Sequence, residues 1–220
     1  MNLKISIPTS LSEITLEQYQ KFLSISKDNK DTIFLNHKMI EIFCGVSLVE
    51  VSMMKIKDIN DIMLKLENVF KTNHDKLKRT FKHNNIEFGF IPNLDDITFG
   101  EYTDLDTYIS DWDNMHKAMA VLYRPITNKL GSKYTIKEYG GSHEYSETML
   151  TLPFDIVLSS LLFFSNLGIE LLKYTVNYLE TDTEIQATLK LHNLEQYGNG
   201  IHHITDLLKE TYSNLIAFQN

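Results

Sequence analysis

The residues with the clearest chemical potential are acidic. Asp95, Asp96, Glu101, Asp104, Asp106, Asp111 and Asp113 lie close together with no Lys or Arg among them. A calcium loop would need oxygen ligands in the EF-hand register, with a central Gly and a closing Glu. That register is absent. Three readings remain for these acids: capping and solvation at the first turns of helices, where the backbone dipole favours negative charge, an acidic surface facing a partner, or a metal site. Asp113 and His116 are three residues apart and can share a helical face, but a carboxylate-bridged dimetal centre needs two Glu-x-x-His pairs and two further carboxylates. That set is missing. His202 and His203 are adjacent, so they diverge on a helix. Cys44 is the only thiol, which excludes zinc sites built on cysteine.

Nucleophile and phosphate motifs are also missing. There is no Gly-x-x-x-x-Gly-Lys-Ser/Thr loop, no Gly-x-Gly-x-x-Gly turn and no Gly-x-Ser-x-Gly elbow. Gly140-Gly141-Ser142-His143 reads as a flexible joint, and neither a base nor an orienting acid can be assigned to Ser142. No catalytic, cofactor-binding or metal-binding residue is assigned, and the chain is expected not to be an enzyme.

A basic run offers recognition instead. Lys71, Lys76, Lys78, Arg79 and Lys82 cluster with His74 and His83, and Phe81, Phe88 and Phe90 are interleaved with them. Basic residues with aromatic stacking platforms are one requirement for binding single strands. The competing reading is a solvated turn whose Phe residues enter the core. A third reading has the basic run meet the acidic stretch across neighbouring subunits, giving a polar, oriented contact. The residues expected at a partner contact are Lys78, Arg79, Asp104 and Asp106, together with Trp112, Tyr123 and Arg124, whose types are common at binding hot spots. Trp112 and Tyr123 fit a core position equally well.

The elements that position these residues follow from periodicity and caps. Residues 2–7 alternate and predict a short strand ended by Pro8. Thr15 with Gln18 forms a capping-box signature ahead of Leu16, Tyr19, Phe22 and Leu23. A second helix is expected from Asp31 to Phe43, with Phe34, Leu35, Met39, Ile42 and Phe43 inward and Gly45 just past its end. One or two helical turns follow around 47–54. Asp58 is expected to cap a helix carrying Ile59, Ile62, Met63, Leu66, Val69 and Phe70. Strands at 80–83 and 86–91 flank Asn84-Asn85, a hairpin signal. Thr98 with Glu101 is another capping box. Ser110 is expected to cap a helix from Trp112 to Tyr123, stopped by Pro125. Residues 126–152 read as a polar loop or contact arm, with a strand at Lys133–Tyr139. A long helix from Pro153 to Glu180 is expected to break near Asn166–Gly168, and a last helix covers Ile201–Phe218. The fold class is mainly α with a small antiparallel β-hairpin element and a bundle-like helical core. Its parts are 1–125, 126–152 and 153–220, packed as one unit.

Composition narrows the function classes. The 220 residues are 43% hydrophobic and 23% charged, ordinary globular values. The net charge of −8 disfavours nonspecific duplex DNA binding, which needs Lys and Arg on phosphates, so no specific nucleic acid is expected as partner. Cys44, within Ile42-Phe43-Cys44-Gly45-Val46, reads as a packed thiol suited to a reducing cytoplasm. The start of the chain has no apolar signal core. Leu152–Leu172 is apolar but interrupted by Asp155, Ser159, Ser160, Ser165, Asn166, Gly168 and Glu170. It is therefore expected to be a core helix and not a membrane span.

Two passages carry a resemblance as a pair. One is Ile7-Pro8-Thr9-Ser10-Leu11-Ser12-Glu13-Ile14-Thr15-Leu16-Glu17-Gln18-Tyr19-Gln20-Lys21-Phe22. The other runs Ile97-Thr98-Phe99-Gly100-Glu101-Tyr102-Thr103-Asp104-Leu105-Asp106 and continues from Met115-His116-Lys117-Ala118-Met119-Ala120 to Val121-Leu122-Tyr123-Arg124-Pro125-Ile126. Over roughly 5–155 the chain resembles small virion or assembly proteins of tailed bacteriophages, including the crAss-like phages. The resemblance implies a structural or internally packaged cargo component, or a connector or ring subunit. Its expected partners are portal, ring or tail subunits, in several copies, within a particle assembled in the bacterial cytoplasm. The alternative it implies is a cytoplasmic tail or head assembly chaperone that does not stay in the particle. An enzyme delivered at infection, and an ejection protein using 153–180 as a membrane wedge, are the competing classes.

Overall fold

A computed structural model describes residues 5–71 and 76–181. Thr15 starts the first helix as its sequence requires. Its hydroxyl accepts the Gln18 N–H at 3.2 Å, and Gln18 Oε1 accepts the Thr15 N–H at 2.9 Å, so two otherwise orphaned donors are satisfied. Helix α1 (Leu16–Asp28) then buries Leu16, Tyr19, Phe22 and Leu23. Helix α2 (Thr32–Cys44) is capped by Asp31, whose carboxylate accepts the N–H groups of Ile33 and Phe34, and it ends at Gly45 with φ +67°. That left-handed cap favours glycine. Phe34, expected inward, is half-buried, while Leu35, Met39, Ile42, Phe43 and Cys44 are buried. Burial pushes the Cys44 thiol up to about 11, so it is a packed, unreactive group.

Helix α3 (Leu48–Ser52) has a Ser47–Glu50 capping box. Helix α4 (Ile56–Phe70) begins one turn earlier than Asp58 would allow as a cap. The N–H groups of Asp58 and Ile59 bond to the Lys55 carbonyl, so Asp58 lies inside the first turn, where the dipole favours its charge. Residues 5–8 are not a strand. Ile5 and Ile7 lie against the core, and pairing at this end goes elsewhere. Leu16 N–H bonds to the Leu152 carbonyl at 2.9 Å and Phe154 N–H to the Ile14 carbonyl at 2.8 Å, joining the starts of two helices.

The expected hairpin is half of a larger sheet. Strands β1 (Thr80–His83) and β2 (Ile86–Phe90) turn through Asn84 and Asn85, with φ 47° and 63°, the positive values a two-residue turn demands. Strands β3 (Tyr123–Leu130) and β4 (Lys133–Ile136) extend it in the order β1-β2-β3-β4, all antiparallel. Residues 126–152 are thus mostly regular structure, strand and then helix α7 (His143–Leu150). They read as a loop because Thr127–Leu130 are exposed, so no apolar alternation marks the strand. Pro125 does not stop a helix. Helix α6 (Met115–Leu122) passes directly into β3, and Pro125 lies opposite Phe88. A ladder irregularity between Ile126 and Asn128 follows it, and proline in a sheet is tolerated beside such a bulge.

Helix α5 (Phe99–Tyr108) follows Thr98, with both halves of its capping box made. Ser110 is not the next cap. The Asp111 carboxylate accepts the Asp113 N–H at 3.0 Å, over the turn Trp112–Asn114 that leads into α6. Helix α8 (Phe154–Thr181) runs unbroken through Asn166–Gly168. A helical Gly costs only about 1 kcal/mol, against the burial of Phe154, Ile156, Val157, Leu158 and Leu161 upstream. The expected helix at 201–218 lies outside the described residues. The architecture is mainly α with one small antiparallel sheet, and one apolar cluster runs from Leu11 to Leu161. Among the described residues no helix is long and apolar enough to cross a membrane.

Gly89 marks a close crossing. The Tyr134 ring from β4 lies over β2, and its hydroxyl is 2.8 Å from the Phe90 carbonyl oxygen and 3.2 Å from that of Arg79. A Cβ at position 89 would lie 2.6 Å from the ring. Gly89→Ala is expected to lower stability by about 1–3 kcal/mol through overpacking, measured as a fall in the urea midpoint. Tyr134→Ala in the same chain should recover part of that loss.

Candidate functional site

An open cleft of about 520 Å³ lies where the ends of β2, β3 and β4 meet α5. Its walls include Ile91, Pro92, Asp96, Ile136 and Glu138. Beneath it lies a buried ion pair, Arg124 on β3 with Glu101 on α5. Their side chains are only 8% and 5% exposed. The Thr98 cap aims Glu101: the Thr98 N–H and hydroxyl donate to Glu101 Oε2 at 2.7 and 2.6 Å. Burial alone would raise the Glu101 carboxyl. The Thr98 hydrogen bonds and the Arg124 charge outweigh it and hold the group below its ordinary range.

Tyr139 closes one side. Its hydroxyl donates to Asp104, and its ring lies 5.4 Å from the Arg124 guanidinium carbon, a cation–π distance. Burial and the Asp104 charge push the phenol well above the usual tyrosine range. Lys137, beside the cleft, donates to Glu144 and to the Tyr145 hydroxyl, which raises its ammonium. Glu101, Tyr139 and Lys137 are thus held in their ordinary ionic forms at neutral pH. Glu101 is not poised to give up a proton, nor Tyr139 or Lys137 to act as a base. The arrangement fastens α5 to β3 and to the segment after β4.

The residues expected at a partner contact divide in two. Trp112, Tyr123 and Arg124 are 2%, 0% and 7% exposed, so they are not contact anchors as they stand. Trp112 stacks edge-on against Tyr19 at 4.8 Å. The Tyr123 hydroxyl donates to the Lys78 carbonyl at 2.9 Å and lies 2.9 Å from the Ser160 hydroxyl. A buried Tyr finds a partner for its polar end in this way. Lys78 pairs with buried Asp155, and Asp104 is taken by Tyr139. Arg79 and Asp106 are exposed and make no ion pair among the described residues.

Asp113 and His116 do not converge: Asp113 meets Lys27 at 3.4 Å, while His116 Nδ1 faces Gln20 at 3.3 Å. No group of three or more His, Cys, Asp or Glu is placed to hold a metal ion among the described residues. Phe88 and Phe90 of the basic hairpin are buried and Phe81 is half-buried against Phe88 and Tyr123, so these rings are not open stacking platforms. Sequence reasoning missed the Glu101–Arg124 pair. Its one visible trace is a lone Arg inside an apolar run, since a buried cation needs a partner. Comparison with protein-family models, with characterised proteins and with solved structures finds no match.

Proposed function

We propose that this protein works by docking, as a structural or internally packaged component of a tailed-phage particle, and that it catalyses no reaction. One observation carries the docking reading. Glu101, Arg124, Lys137 and Tyr139 at the cleft are engaged with partners of their own, whereas large apolar side chains stand in solvent: Phe99 at 84%, Ile56 at 78%, Val49 at 67% and Met53 at 62% exposed. Leu48 and Val49 on α3, Met53 beyond it and Ile56 at the start of α4 form a run of such residues in the chain. Clustered exposed apolar area marks interaction sites. Apolar contacts of this kind bury area, and charged neighbours set register. The phage setting rests on the resemblance of 5–155 alone.

Mass spectrometry of particles purified from a phage encoding this chain tests the setting. Peptides from the chain at a stoichiometry of several copies are the expected result. Their absence from particles, with the chain abundant in the infected cell, would reject the packaged reading and favour the assembly chaperone.

A further inference from the structure

The sheet separates two patches of opposite charge. At one edge is β1, where Lys76, Arg79 and Lys82 are exposed. None of the three meets a carboxylate among the described residues. At the other edge is β4, and three residues beyond it Tyr139 hydrogen-bonds Asp104 on α5. The exposed charges of the two edges are not paired with one another among the described residues.

Among the described residues, helix α5 presents an unpartnered face at the acidic side. Phe99, Tyr102 and Asp106 follow helical spacing, and all three are exposed, Tyr102 at 58%. The opposite face is taken up by Glu101 and Leu105. Asp95 and Glu138 are exposed nearby and, like Asp106, make no ion pair among the described residues. An exposed aromatic pair flanked by uncompensated acids fits a basic surface that also carries apolar side chains. The β1 hairpin is such a surface, since Ile86, paired with His83, is partly exposed.

We infer that the exposed face of α5 docks on the basic β1 edge of a second copy, so that copies associate head to tail. This rests on the docking reading above and names its partner. The two surfaces differ, so the contact is heterologous, and each copy keeps one free patch of each kind. Such contacts close into a ring or continue as a filament, and do not stop at a two-fold dimer.

Light scattering coupled to size exclusion tests this with the full chain and two variants, Arg79→Ala/Lys82→Ala and Phe99→Ala/Asp106→Asn. All four positions are exposed, and circular dichroism checks that both variants fold. The unaltered chain is expected to exceed dimer mass as concentration rises at about 50 mM salt, and to dissociate near 0.5 M. Each variant alone should remain a monomer. Mixed one to one, the variants should give a dimer and nothing larger, because each supplies the patch the other lacks. A monomeric unaltered chain, a variant that assembles normally, or a mixture that stays monomeric or grows past a dimer would each overturn the inference. A chain that is monomeric in solution yet found in purified particles would leave docking intact, with a different protein as its partner.

Discussion

Glu101→Ala is expected to remove about 3–5 kcal/mol of stability, the cost of leaving a buried charge without its partner. Arg124 is the charge left behind. It is 7% exposed, its Nε has no hydrogen-bond partner among the described residues, and Glu101 is the carboxylate that pairs with it. The reverse change, Arg124→Met, should cost less. Glu101 would keep both Thr98 donors, and a carboxyl can take up a proton where a guanidinium cannot release one. The double change Glu101→Leu/Arg124→Met should be milder than Glu101→Ala, since apolar replacement of a buried pair is often neutral. Urea unfolding of the four chains ranks them. If Arg124→Met proves the more damaging, the Thr98 cap is not what holds the carboxylate.

The same pair predicts an acid limb. The Glu101 carboxyl sits below its ordinary 4.5 in the folded chain. Through that window the unfolded chain binds more protons, so stability rises with pH. The contribution is fully present above about 4.5 and is lost as pH falls through the folded value. Urea midpoints between pH 7 and pH 3 should fall less steeply for Glu101→Gln than for the unaltered chain.

A second large effect is expected at Phe154. Phe154→Ala should cost about 3–5 kcal/mol, as for other large aromatics removed from a core. The ring is fully buried, stacked on Tyr19 at 4.2 Å and tilted against Trp112 at 5.9 Å. Its backbone N–H also bonds to the Ile14 carbonyl, so one residue ties the start of α8 to the entry of α1. Trp112 is the only tryptophan and reports the change directly: its emission should shift to the red as water enters beside it. Phe99→Ala is the control. At 84% exposure it should change stability by no more than about 0.5 kcal/mol. An unshifted emission in a Phe154→Ala chain of reduced stability would show that the cavity collapses and stays dry.

The acidic stretch shows how far a local reading reaches. Its interpretation as helix-capping residues holds for Glu101 at the start of α5 and for Asp111 at the turn before α6, because a cap involves partners two or three residues away. The same stretch hides what Glu101 does next. One of its oxygens serves Thr98 and the other meets Arg124, and no spacing rule connects those two elements. The contact residues show the complementary failure. Tryptophan, tyrosine and arginine are favoured both at interfaces and beside cores, so residue type could not separate the two. Burial did, and it placed Trp112, Tyr123 and Arg124 inside.

The strand β3 is the sharpest case. Helix α6 and β3 share an apolar run from Ala118 to Tyr123, and the change of backbone at Leu122 carries no turn signal. It occurs because Phe90 of β2 pairs with Tyr123, and a ladder bond from a distant strand outweighs one more helical turn. By contrast, the capping boxes at Thr15, Ser47 and Thr98, the Gly45 stop and the Asn84-Asn85 turn were determined by the sequence alone, because each is an interaction among residues within a few positions. Only the tertiary structure decided which polar groups went inside, that the hairpin grew to four strands, and that α5 keeps one face open to solvent. Those outcomes depend on partners far along the chain, as in the joining of Lys78 to Asp155. Long-range contacts form only when the whole core closes, and local propensity carries no information about them.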